Sequence, residues 1–183
     1  MAIRTADGEI EAYIFERHVD AAGFEGVKSG LSRAPGVAFV GQFVGAFNLF
    51  ARVVAGDLGE LQRRIANEYW EAGVRSDFSI NLTGDRPAAP KRASPNICAL
   101  VCAQVTQDPF DVLDALDELF LDVIPYGAAL VTAPDFDVLV DIGGDTIEDV
   151  VDRVFELRGI PGIGRTSTAL ADLAENAIRP GKG

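Results

Sequence analysis

Histidine, cysteine, methionine and tryptophan are nearly missing: one His, two Cys, one Met and one Trp occur in 183 residues. A single imidazole, His18, and two thiols cannot make a standard four-ligand structural zinc site. Cys98 and Cys102 stand four apart in "NICALVCAQV". On one face of a strand that separation is about 13 Å, too far for a disulfide. They read as buried thiols in a reducing cytoplasm. Cations are also scarce. Sixteen Lys and Arg against 28 Asp and Glu leave a net charge of −12. That excludes a direct grip on nucleic acid, which rests on neutralising phosphates, and adhesion to anionic membranes. No apolar run is long enough to span a bilayer, and the opening "MAIRTADGEIEAY" lacks the apolar core of a secretory leader.

What is present is apolar residue in quantity, 48% of the chain, enough for a sizeable core. Three prolines and no periodicity mark "TGDRPAAPKRASP", residues 83–95, as a linker. The divisions expected are residues 1–82, a linker at 83–95, and residues 96–183 including a C-terminal tail.

The two parts share a pattern. The first reads strand "IEAYIFERHV", helix from Asp20, strands "VAFVGQFV" and "FNLFARVV", helix from Asp57, strand "VRSDFSINL". The second reads strand "ICALVCAQV", helix from Asp108, strands "GAALVT" and "FDVLVDI", helix near Asp145, strand "GRTSTALA". Each is β-α-β-β-α-β. Over the last three elements an offset of 89 residues aligns Phe47 with Phe136, Leu61 with Val150, Ile65 with Val154, Arg64 with Arg153 and Gly73 with Gly162. Asp20 and Asp108 align at 88, so one residue is inserted before the second strand. Asp57 with Glu60 has capping spacing, Thr146 with Asp149 and Asp145 with Glu148 are equivalent alternatives, and Asp108-Pro109 puts a cap before a first-turn proline.

In "FNLFARVV", Phe47, Leu49, Ala51 and Val53 form one face, while Asn48, Phe50, Arg52 and Val54 form the other, which is still half apolar. Two helices cover only one side of a four-stranded sheet. The other side is expected to pack against the second sheet.

"RGIPGIGRTST", Arg158 to Thr168, carries glycines that suggest a nucleotide loop. A dinucleotide fingerprint places them after a strand and before a helix. Here they follow a helix and precede a strand, so Gly159 reads as a helix cap, Pro161-Gly162 as a turn and "GRTSTAL" as an alternating strand.

"GAFNLF" with "EAGVRSDFS" in the first half, and "PDFDVLV" with "PGIGRTST" in the second, resemble the C-terminal ligand-binding (RAM) module of Lrp/AsnC regulators. The resemblance implies an α+β fold of tandem ferredoxin-like repeats, packed as a pseudo-twofold pair of the dimeric α/β-barrel type. It implies a non-enzymatic regulatory protein with no cofactor, sensing a small effector such as an amino acid and assembling with itself or with a regulator protein. By position the effector residues are Gly45, Asn48, Ser76 and Ser79 in the first half, and Asp137, Arg165, Thr166 and Thr168 in the second. Asp137 is the expected acceptor for an ammonium and Arg165 the donor to a carboxylate. Asn48 replaces the family's usual Asp, and Pro134 stands where it has glycine. The family's helix-turn-helix has no counterpart, since about nine residues precede the first strand.

Two alternatives stand beside this reading. Ferredoxin-like repeats also build dimeric α/β-barrel enzymes, both haem enzymes with an axial histidine and cofactor-free oxygenases. His18, ending the first strand, reads as a partly exposed polar residue. An assembly-only protein with degenerate sites is the other. No Ser-His-Asp grouping or close carboxylate pair stands out, and "DVLDALDELFLD" reads as the solvated face of an amphipathic helix.

Overall fold

A computed structural model describes residues 9–17, 21–74, 78–82, 97–121, 126–172 and 177–178. The linker at 83–95, His18 and Ser76 lie outside the described residues. The elements are β1 (Ile10–Glu16), α1 (Ala21–Arg33), β2 (Val37–Gln42), β3 (Val44–Gly45), β4 (Leu49–Ala55), α2 (Leu58–Arg64) and β5 (Phe78–Ile80), then β6 (Ile97–Val105), α3 (Pro109–Leu119), β7 (Tyr126–Leu130), β8 (Val138–Gly144), α4 (Ile147–Arg158), β9 (Ile163–Asp172) and β10 (Ala177–Ile178). The βαββαβ order occurs twice, as the hydrophobic periods predict.

Local chemistry sets the helix ends. The Asp57 carboxylate accepts the Glu60 N–H, and Asp108 accepts from Phe110 ahead of Pro109. At α4 the structure chooses between the two candidate caps: Thr146 and Asp149 form a reciprocal capping box. α2 runs on as a π-helical turn, Ile65–Tyr69. The turn seats Tyr69 in the core, where its hydroxyl donates to the Pro35 carbonyl at 2.9 Å and its ring stacks on Phe78.

Two antiparallel sheets result, ordered β10-β2-β4-β1-β5 and β3-β9-β6-β8-β7. Three hydrophobic layers hold them. Leu31, Leu49, Leu61 and Tyr69 fill the space between the first sheet and its helices. Leu113, Leu116, Phe120, Ile142 and Leu157 do the same for the second. Between the sheets, Tyr13, Phe15, Phe47 and Phe50 meet Leu100, Cys102, Phe136 and Leu139. Leu49, Ala51 and Val53 face helices and Phe50 faces the other sheet, as the alternation predicts; Phe47, grouped by that alternation with the helix-facing residues, instead lies between the sheets, because β4 begins only at Leu49. Cys98 and Cys102 are both buried on that inter-sheet side and both free.

The sheets also exchange strands. β3 leaves the first half to pair with β9, and β10 returns to pair with β2. At the opposite margins Asn81 bridges to Val131, and the Leu82 N–H donates to the Leu130 carbonyl at 2.7 Å. The pair of sheets is thereby closed along both sides into a barrel. The sequence reading of "VAFVGQFV" as one strand misses the break at Phe43 that lets β3 cross over.

Candidate functional site

Strand alternation decides which side chains reach the space between the sheets. On β6, Cys102 faces inward with Gln104 two residues on. On β9, Ser167 is paired opposite Cys102, and Arg165 is two residues before it. On β1, Phe15 faces inward and Arg17 follows at the strand end. The loops after β3 and after β7 add Ala46 and Phe47, and Asp135 and Phe136. These ten residues line a cavity of about 390 Å³. Both members of two internally equivalent pairs take part, Ala46 with Asp135 and Phe47 with Phe136, each 89 residues apart.

Three rings stand in the lining. Phe15 lies edge-on to Phe47 at 5.2 Å between ring centres and edge-on to Phe136 at 5.5 Å, a geometry the ring quadrupoles favour. Charged groups adjoin these rings, since Arg17 follows Phe15 by two residues and Asp135 precedes Phe136. Arg17 pairs with Asp135 at 3.4 Å, joining the two halves across the cavity, and both side chains are more than half exposed (52% and 63%). Arg165, also exposed, has no ion-pair partner among the described residues. Burial pushes the Cys102 thiol up to about 12, against the pull of the Arg17 charge. At neutral pH it is a protonated, weakly nucleophilic group.

A second polar cluster sits between the sheets further along the same strands. The Tyr13 hydroxyl donates to Glu11 at 2.5 Å and accepts from Asn81 at 3.3 Å. The Cys98 thiol donates to Asp141 at 2.7 Å. Desolvation, then the Glu11 charge, raises the Tyr13 pKa, and desolvation followed by Asp141 raises that of Cys98. Each bond stays within one sheet, Tyr13 with Glu11 and Asn81 in the first and Cys98 with Asp141 in the second, so the cluster satisfies its own polar groups where the sheets face each other.

Of the residues proposed from sequence, only Arg165 lines the cavity. Thr166 and Thr168 point to the helix side. The Thr166 hydroxyl accepts from Arg158 of α4, and Thr168 is paired opposite Val101, a core residue under the helices. The Thr168 hydroxyl is buried with no hydrogen-bond partner among the described residues. The Asp137 carboxylate accepts the Val105 N–H at 2.8 Å, bracing the end of β8 against β6. Gly45 does meet Thr168, but as backbone: its φ is +135°, and a Cβ there would lie 2.4 Å from the Thr168 carbonyl oxygen. Ser79 is buried opposite Tyr13, and Asn48 hydrogen-bonds through its backbone in the β3–β4 loop. Ser76 lies outside the described residues. Arg17, Asp135, Ser167 and the three phenylalanines were missed. Period-two alternation in "GRTST" separates Arg165 and Ser167 from the threonines and was the available signal.

No family model matches the sequence, and no curated protein does. The fold has solved relatives. The siroheme decarboxylase NirDL superposes with a TM-score of 0.65 at 12% identity, over 90% of this chain and 71% of that one. A candidate monooxygenase from Lactobacillus acidophilus NCFM gives 0.57 at 9% identity over 90% and 93%. The chlorite dismutase of Candidatus Nitrospira defluvii gives 0.56 at 13% over 93% and 94%. The chain has the fold of these dimeric α/β-barrel proteins.

These likenesses correct two expectations. The neighbours are not Lrp/AsnC modules, so the reading as a regulator that senses amino acids is overturned. The expectation of a non-enzymatic chain falls with it, because the neighbours are named for reactions. The motifs misled for a physical reason. Gly73 and Gly162 hold φ of +94° and +92°, as the turn into the last strand of each repeat requires. The threonines after it pack toward helices. Both features serve the ferredoxin-like fold.

Proposed function

We propose that this chain is an enzyme of the dimeric α/β-barrel class that holds a small organic substrate between its sheets and works without a resident haem, as a cofactor-free oxygenase does. The observation that carries the reading is the inter-sheet cavity: about 390 Å³, lined by three phenylalanines and one carboxylate, Asp135. Its size and mixed lining suit a small organic molecule. The spaces under the helices are filled by large side chains such as Leu31, Tyr69, Leu113 and Phe120.

The haem alternative was tested on the donors present. Among the described residues the cavity offers no imidazole, and its one sulfur, Cys102, is held as a thiol. Haem iron takes an axial imidazole, thiolate, thioether or phenolate, and the described lining supplies none of them; His18, next to the lining residue Arg17, lies outside the described residues. Dioxygen can take electrons directly from an electron-rich substrate anion. Converting an activated CH₂ to C=O with one O₂ releases one water and balances without an external reductant. In this reading Asp135 accepts the substrate proton, the phenylalanines exclude water, and the protonated Cys102 stays inert.

Oxygen uptake by metal-free protein with a panel of activated phenols and 1,3-diketones tests the proposal. Uptake should occur with some members and drop at least about a hundredfold in Asp135→Asn. Uptake only after loading with hemin, with a shifted Soret band, would overturn it in favour of the haem enzyme.

A further inference from the structure

The cavity has a charge pattern that restricts what it can hold. Two arginines against one aspartate leave its lining with one net positive charge. This occurs in a chain that carries 28 acidic and 16 basic residues. A positive lining is therefore local, not a reflection of the surface around it. The cations also differ. Arg17 is already engaged by Asp135, whereas Arg165 has no ion-pair partner among the described residues. Arg165 has Ser167, two residues on, as a hydroxyl neighbour in the lining. A guanidinium fork with an adjacent hydroxyl matches one carboxylate in geometry and charge.

The remaining lining restricts the ligand's body. Phe15, Phe47, Phe136, Ala46 and Cys102 offer rings, methyl and neutral thiol, with Gln104 the one uncharged amide. The three rings are each 8% exposed or less, so they present a limited apolar border to the cavity. The internal repeat makes the site lopsided, since Arg17 and Asp135 come from opposite halves while Arg165 and Ser167 come only from the second. Such a site holds one ligand in one orientation, although the fold is duplicated.

Resting on the reading of this cavity as the substrate site, we infer that the ligand is a flat aromatic monocarboxylate, bound once per chain, with its carboxylate on Arg165 and Ser167 and its ring against Phe15, Phe47 and Phe136. Asp135 restrains this binding by occupying Arg17. The Arg17–Asp135 pair is exposed on both sides and contributes little to stability, so it can open without loss of the fold. An amino acid fits worse, because the one carboxylate in the lining already has a cation.

The test is binding of 2-naphthoate, 2-naphthalenemethanol, 1-naphthyl phosphate and phenylalanine to the full chain, by fluorescence and calorimetry. The expected result is naphthoate at one site per chain, with the neutral alcohol and the phosphate each weaker by about tenfold or more. Arg165→Gln should cost naphthoate about tenfold or more and leave the alcohol unchanged, while Asp135→Asn should tighten naphthoate severalfold. If naphthoate and the alcohol bind equally and Arg165→Gln changes neither, the carboxylate inference is overturned while the cavity stands. Tighter binding of phenylalanine or the phosphate overturns it too. If no probe binds, or Phe136→Ala leaves every affinity unchanged, the cavity reading itself fails.

Discussion

Arg64 and Arg153 make the same hydrogen bond in the two halves of the molecule. The Arg64 guanidinium donates to the Val54 carbonyl at 2.6 Å, and that of Arg153 to the Gly143 carbonyl. Donors and acceptors are each 89 residues apart. In each half the bond ties the second helix to the end of the strand before it. Arg64→Ala and Arg153→Ala should each destabilise the fold by about 1.5–3 kcal/mol, the usual worth of a hydrogen bond to a charged group. Arg64 also pairs with Glu60 at 2.6 Å, so its loss should be the larger. Urea melts of the two variants check both points; a loss under about 0.5 kcal/mol at either site would show the bond to be incidental.

Gly45→Ala should be costly. The new Cβ would meet the Thr168 carbonyl oxygen at 2.4 Å with φ at +135°, so β3 would have to leave β9. A loss of about 2–4 kcal/mol is expected, with faster amide exchange along β9. Gly127→Ala, where nothing lies within 4 Å, should be nearly neutral in the same melts.

Alkali should weaken the fold. Burial raises the pKa of Cys98, Cys102, Tyr13 and Tyr69 in the folded state, that of Cys102 to about 12. An acid whose folded pKa lies above its unfolded one contributes stability that is complete below the unfolded value and lost as pH rises toward the folded one. Unfolded cysteine and tyrosine titrate near 9.0 and 10.0. Denaturation midpoints should thus hold up to about pH 8.5 and then fall steadily toward pH 12. Iodoacetamide should label the native thiols far more slowly than the denatured ones at pH 8. A midpoint that climbs between pH 9 and 11 would contradict the assignment.

Cutting the linker should not release the halves. Trypsin cleavage at Lys91 or Arg92 (Arg86 is shielded by Pro87) should give two fragments that run together on a sizing column without denaturant. They share the inter-sheet core and the β3–β9 and β10–β2 pairings. Separate elution would mean that these contacts are too weak to hold without the covalent link.

Much of this architecture was legible because local patterns agree with it. "ICALVCAQV" coincides with β6, Asp57 and Asp108 cap the helices assigned to them, and the half-apolar face of β4 pointed to a second sheet. The two-residue strands β3 and β10 were not legible, because their pairing partners lie more than 100 residues away and two residues carry no period. The cavity was legible only through Arg165. Arg17 and Asp135 are 118 positions apart and lie on opposite halves, so their meeting depends on how the sheets stack. Thr166 and Thr168 follow from position in the resemblance, yet their parity in β9 turns them toward the helix side.

The β10–β2 pairing bears on how the chain folds during synthesis. β2 is complete once residue 42 has been made, but the strand that covers its outer edge spans residues 177–178. At typical translation rates of 5–20 residues per second, some seven seconds or more separate the two. Throughout that interval the outer edge of β2 is open, and until the second half's strands, residues 97–172, have been made the Phe15 and Phe50 face has no second sheet to bury it. The nascent first half is thus the stage most exposed to chaperones and to edge-to-edge aggregation.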